Sequence, residues 1–200
     1  MELLANGLAF ELFGLRPGEA TAPASCEFLI DLEGDAAEWN ARGLEAITLV
    51  PGAHLRGGQA ILPVVRTMCW LAAQLSEFPG VQALAWHGAG SWISPSYFRS
   101  CTMHWREGGP FPALGLTAIK PTPDGGIQTV GMAFFTGQEI RLEPELAEQP
   151  KSATRLAVRL VNRLVEEDPL GSDVQIELVG GDRYLLRPAR HGNLIRVWAV

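Results

Sequence analysis

The sequence predicts an α+β fold: a mostly antiparallel sheet with two main helices packed on one face. Three observations predict it. Residues 60–78 and 152–167 each place apolar side chains at three- and four-residue steps, the period of an amphipathic helix. Residues 174–179, 183–188 and 194–199 read as three strands joined only by Gly180-Gly181-Asp182 and His191-Gly192-Asn193, and connections so short imply an antiparallel meander. Two further strands, 113–120 and 127–135, flank a strong reversal signal, Pro121-Thr122-Pro123-Asp124-Gly125-Gly126.

The other elements follow in chain order. Residues 8–13 and 26–32 read as weak strands, separated by a loop with Arg16-Pro17-Gly18 and Thr21-Ala22-Pro23. Asp35 and Glu38 have capping-box spacing, and Gly43 stands where a helix would stop, so a short helix fits over 36–42. Leu44 to Val50 is a strand halted by Pro51-Gly52. In helix 60–78 the apolar face is Ile61, Val64, Val65, Met68, Ala72 and Leu75. Pro63 is tolerated only in the first turn, and Pro79-Gly80 ends the helix. Strand 81–86 runs into a glycine-rich turn carrying His87, Ser91 and Trp92, then into a helix from 95 to 106 capped by Ser94 with Pro95 at its first position. A short strand is expected at 139–143. Helix 152–167, with Ser152 as N-cap, buries Leu156, Leu160, Val161, Leu164 and Val165. A shift of 93 residues aligns helix 60–78 with 153–171 and strand 81–85 with 174–178, with identities such as Val65/Val158 and Arg66/Arg159; this raises an internal strand–helix–strand duplication.

The bulk composition narrows the function. Hydrophobic residues make up 47% and charged residues 19%, a globular balance. The 200 residues are enough for a sizeable core, and no low-complexity linker divides them, so one domain over 1–200 is expected. A net charge of −6 argues against nucleic acid and against anionic membrane surfaces as partners. Residues 151–200 hold 8 basic and 6 acidic side chains, a surplus too small for a basic patch. The excess of Arg (14) over Lys (2) reads as the codon bias of a GC-rich, bacterial genome. Cys26, Cys69 and Cys101 form neither a disulfide framework nor a C-x-x-C pair, and Glu2 and Glu11 are out of place in a signal peptide. No apolar run is long enough to span a bilayer, and a cytoplasmic location is expected.

Four constellations could carry chemistry. Cys101 and His104 are one helical turn apart, and His87 could supply a third metal ligand, but a second close ligand pair is missing and no metal or cofactor is expected. Ser91, Ser94, Ser96 and Ser100 gather near His87 without the G-x-S-x-G elbow. Residues 44–60 resemble the placement of a phosphate loop, yet Gly58 and Gln59 stand where lysine and hydroxyl should be; a simple anion site on Arg56 and helix amides is what remains. Finally, Trp86, Trp92 and Trp105 lie close together. Trp92 in a turn is either an exposed recognition group or a lid on the local core.

Pro79-Gly80-Val81-Gln82-Ala83-Leu84-Ala85-Trp86 followed by Ser94-Pro95-Ser96-Tyr97-Phe98 resembles a bacterial family known only as domain-of-unknown-function family 4261. The stretch from Thr129-Val130-Gly131-Met132-Ala133-Phe134 to Gly137-Gln138-Glu139-Ile140 resembles that family's later block. The resemblance spans roughly residues 44–143 and implies an α+β fold with no assigned reaction. Strands after 174 extend beyond it.

The expected function is therefore a non-catalytic binding or protein-interaction module with a protein or small-ligand partner, with self-association left open. Its candidate binding residues are Trp86, His87, Ser91, Trp92 and Arg56. The competing class is a small-molecule hydrolase, or another enzyme, with a cleft near His87 and Ser91.

Overall fold

The computed structural model describes every residue except 17 and 20, so the proline of the Arg16-Pro17-Gly18 loop lies outside the described residues. Helices and strands are mixed, and most strand pairs are antiparallel, as an α+β fold requires. Among the described residues the strands lie in three sheets rather than one. The chain divides into two compact units, Met1–Gly115 and Leu116–Val200.

In the first unit, β1 (Glu2–Ala5) and β2 (Leu8–Phe13) form a hairpin, and β3 (Phe28–Ile30) follows. Strand β1 escapes sequence reading because its residues, ELLA, do not alternate cleanly. Helix α1 (Ala36–Asn40) starts as expected, with the Asp35 carboxylate accepting the Glu38 amide at 2.9 Å. Strand β4 (Thr48–Pro51) joins β1 and β2 in one antiparallel sheet. Helix α2 (Leu62–Leu75) starts late because Pro63 must sit in its first turn, and Ile61 is exposed rather than part of the apolar face. Its buried face is instead Val64, Val65, Thr67, Met68, Cys69 and Ala73.

Strand β5 (Leu84–Trp86) turns back into β6 (Ser91–Ile93), which runs parallel to β3 on its other side. Helix α3 (Pro95–Arg106) begins where Ser94-Pro95 places it, and the Ser94 hydroxyl accepts the Tyr97 amide at 3.2 Å. It packs against α2. Beyond it, α4 (Ala113–Leu116) is a single helical turn where a strand was expected.

In the second unit, β7 (Ala118–Pro121) and β8 (Ile127–Val130) form the hairpin that the Pro-Asp-Gly-Gly signal demands. The chain leaves β8 early for the turn α5 (Ala133–Thr136). Gly137, at φ +76°, ends that turn in a left-handed conformation that suits glycine. Strand β9 (Glu139–Leu142), the short helix α6 (Pro144–Ala147) and the long helix α7 (Pro150–Leu164) follow. Helix α7 begins two residues before Ser152, with Pro150 at its first position; the Ser152 hydroxyl reaches only the Gln149 amide oxygen, at 3.4 Å. The meander β10 (Val174–Glu177), β11 (Arg183–Pro188) and β12 (Leu194–Ala199) is antiparallel, as its short turns imply. Strand β12 then pairs in parallel with β9, giving the order β10-β11-β12-β9-β8-β7.

The core of this unit follows from alternation. Ile140, Leu142, Tyr184, Leu186, Ile195 and Val197 are buried on one face of the six-stranded sheet. Helix α7 packs on that sheet with Leu156, Leu160, Val161 and Leu164 buried. The two helix–strand pairs are not copies of one topology. Helix α2 links β4 and β5, which lie in different sheets, whereas α7 links β9 and β10 of the same sheet. Among the described residues, no helix is long and apolar enough to cross a membrane.

Candidate binding face

The stretch from His87 to Trp92 buries Ala89, Ser91 and Trp92. Trp92 sits in strand β6, not at a turn, and is 3% exposed. Its indole stacks at a tilt on Trp39, 6.4 Å between centroids, and its N–H donates to Asn40 Oδ1 at 3.2 Å. Asn40 is held in turn by Cys26, whose amide donates to Oδ1 at 3.3 Å and whose carbonyl accepts from Nδ2 at 3.1 Å. Ser91 is buried opposite Trp86 on one side and Phe28 on the other, and its hydroxyl has no hydrogen-bond partner among the described residues. A small side chain is what lets these two aromatics flank it.

Trp86 is half-buried against Phe10, Val64 and Met68, and a Cβ on Gly88 would meet its indole nitrogen at 2.9 Å. The Gly90 carbonyl accepts the amides of Glu27 and Phe28, at 2.8 and 3.1 Å, and so anchors β3. His87 and Gly88 are left exposed at the tip. Ser94 lies at the far end of β6, about 10 Å along the strand from the turn at roughly 3.3 Å per residue. Its hydroxyl donates to the carboxylate of Asp31 at 2.6 Å.

Arg56 does not sit at a helix N-terminus. It follows a single tight turn at 53–55, and α2 starts at Leu62. Three of the intervening amides are already used: Gly57 donates to Gln59 Oε1 at 2.8 Å, Gly58 to the Leu55 carbonyl at 2.8 Å and Ile61 to the Gly58 carbonyl at 3.1 Å. His104 is exposed, while the half-buried Cys101 thiol donates to the Phe98 carbonyl at 3.3 Å. Among the described residues, no three His, Cys, Asp or Glu side chains form a group able to hold a metal ion. Burial pushes all three thiols up: Cys26 to about 11, Cys69 further, and Cys101 in the same direction.

The residues the structure brings together lie on the second unit's six-stranded sheet, on the face opposite its core. Register aligns Lys120, Gln128, Arg141, Arg196 and Arg187 in one row across β7, β8, β9, β12 and β11. Like charges on adjacent strands repel unless carboxylates separate them, and here they do. Glu143, just beyond β9 and 6% exposed at its side chain, accepts a bidentate pair from Arg196 at 2.7 and 2.6 Å and lies 3.6 Å from Arg141. Asp173 takes Arg187 at 2.8 Å, and Asp124 takes Arg141. Hydrogen bonding to these carboxylates raises Arg187 and Arg196 above their ordinary values. Asp124 is lowered, first by the Thr122 hydroxyl and then by Arg141.

Trp198, two residues beyond Arg196 on the same face, is flanked by the guanidiniums of Arg196 at 5.1 Å and Arg187 at 5.6 Å. Arg187 and Arg196 keep 54% and 43% of their side-chain surface exposed. This is a charge-balanced face with a held tryptophan at its centre. Ion pairing holds its guanidiniums in place.

Neither chain-order spacing nor the small basic surplus points to this row. The alternation does: Arg183, Leu185 and Arg187 share one face of β11, and Leu194, Arg196 and Trp198 share the matching face of β12. No family model, no curated protein and no solved structure matches this chain.

Proposed function

We propose that this protein is a non-catalytic binding module that recognises a protein partner through the open face of its six-stranded sheet. The observation that carries the reading is Trp198 held between Arg187 and Arg196. Tryptophan and arginine are the residue types that dominate interface energetics, and a rigid indole loses little entropy on docking. On this face Arg141, Arg187 and Arg196 are paired with Asp124, Glu143 and Asp173, Arg183 lies opposite Glu177, and Lys120 adds one more cation. Such near balance supports a protein surface over a polyanion, which needs uncompensated positive charge.

Site-specific photocross-linking tests this. A photoreactive phenylalanine analogue at position 198 should capture a defined protein from extract of the source organism. The same analogue at exposed position 151 should not. Arg187→Glu should abolish capture while leaving the far-UV spectrum intact. In a purified pair, Trp198→Ala should weaken affinity roughly thirtyfold, the loss typical of a central tryptophan. Identical products from positions 198 and 151, or capture indifferent to Arg187→Glu, would refute the reading.

A further inference from the structure

A second feature of the same unit stands apart from the sheet face. A cleft of about 390 Å³ opens beside the first turns of α7. Its wall is one stripe of that helix, Ser152, Arg155, Leu156 and Arg159, at helical spacing. The rest of its lining includes Asp182 and Tyr184, with Glu145 and Glu148 from α6 and its C-terminal edge. That volume falls in the range of small-molecule sites.

The groups in it are not spent on one another. Arg159 donates to the Val179 carbonyl and so ties down the β10–β11 turn. Arg155 and Glu148 form no ion pair among the described residues. Tyr184 is 8% exposed and lines the cleft, and its hydroxyl has no hydrogen-bond partner among the described residues. That hydroxyl is not a buried atom and keeps its contact with water in the free protein, and a ligand acceptor or donor can take the place of that water. Leu156, buried on α7, adds apolar surface to the lining.

We infer that this cleft binds a small zwitterion, an α-amino acid with an apolar side chain. Its carboxylate takes Arg155 and the Tyr184 hydroxyl, and its ammonium takes Glu148 and Glu145. Its side chain lies on Leu156 and the Tyr184 ring. The lining carries two guanidiniums and three carboxylates, so it selects a ligand bearing both charges over a simple anion. The inference is independent of the sheet-face reading: no residue of the cleft belongs to the Arg187–Trp198–Arg196 cluster.

The test is titration of the isotopically labelled full chain with the proteinogenic L-amino acids, read by amide chemical shifts. An apolar member of the set should give saturable shifts confined to residues 145–159 and 179–185. Its N-acetyl derivative and its methyl ester, each lacking one charge, should bind about tenfold more weakly, the worth of one charge-assisted hydrogen bond. Arg155→Met and Tyr184→Phe should weaken binding about tenfold and severalfold respectively, with melting temperature unchanged for Arg155→Met. Absence of any saturable shift up to about 10 mM ligand overturns the inference. So does equal binding of the singly charged derivatives, or affinity unchanged in both variants.

Discussion

Trp92→Ala separates the two roles that a tryptophan near a glycine-rich turn can have. The residue is 3% exposed, and a buried indole removes on the order of 200 Å² from water. At about 25 cal/mol per Å² that is about 5 kcal/mol, an upper bound because the unfolded chain is not fully extended. The hydrogen bond to Asn40 adds about 1 kcal/mol, and no more, because Asn40 Oδ1 keeps the Cys26 amide when the indole is gone. The net expectation is a loss of about 3–5 kcal/mol, the range for aromatic-to-alanine changes in cores. In urea, with a slope near about 2 kcal/mol per M, the unfolding midpoint should fall by roughly 1.5–2.5 M. Trp92→Phe keeps most of the apolar contact and should fall by less than half as much. Equilibrium unfolding followed by circular dichroism reads both. A midpoint for Trp92→Ala within about 0.3 M of the parent would show that Trp92 is not structural, and the packing on Trp39 would have to be abandoned.

Two further predictions concern buried polar groups. Cys26 ionises at about 11 in the folded chain against an ordinary 9.0, so between those values the unfolded state binds fewer protons and stability falls as pH rises. That gap corresponds to at most about 2–3 kcal/mol, less where solvent screens the thiolate, lost by the top of the window with nothing lost below its foot. Cys26→Ala should therefore show a shallower decline in urea midpoint between about pH 8 and about pH 10.5, and equal slopes for both proteins would contradict the burial argument. Gln138 is 2% exposed and its amide ties Leu170 N, Leu170 O and Gly192 O at 2.7–3.0 Å. Gln138→Ala should cost about 2–4 kcal/mol and speed hydrogen exchange at residues 168–172 and 190–193; exchange unchanged there would mean that the tether does not hold these loops.

Local chemistry made several elements legible in the sequence. The caps at Asp35 and Ser94 satisfy amides within three residues, Pro79-Gly80 and Pro121–Gly126 stop or reverse the chain on their own, and the meander strands are separated by turns too short for any other pairing. These need no distant partner, so they can be read from a few neighbouring residues. The candidate site was legible only in part. Trp86, His87, Ser91, Trp92 and Arg56 stood out because they are chemically conspicuous near glycines, a signal that does not distinguish a turn from a strand.

What decided their fate was non-local. Ser91-Trp92-Ile93 becomes a strand because β3, more than sixty residues earlier, lies parallel to it, and that pairing buries Trp92. The same holds for the row of arginines. Arg141, Arg187 and Arg196 are dispersed along the chain, and their alternation within each strand is visible, but only the parallel join of β9 to β12 sets them side by side with Glu143 between two of them. The sequence by itself determined the α+β class, the turns and caps, and which side of each meander strand is apolar, because those follow from backbone sterics and period. Tertiary structure alone decided the number of sheets, the register across strands and which polar side chains face one another. Those depend on contacts between residues far apart in sequence, where closing the loop costs entropy that only the assembled core repays.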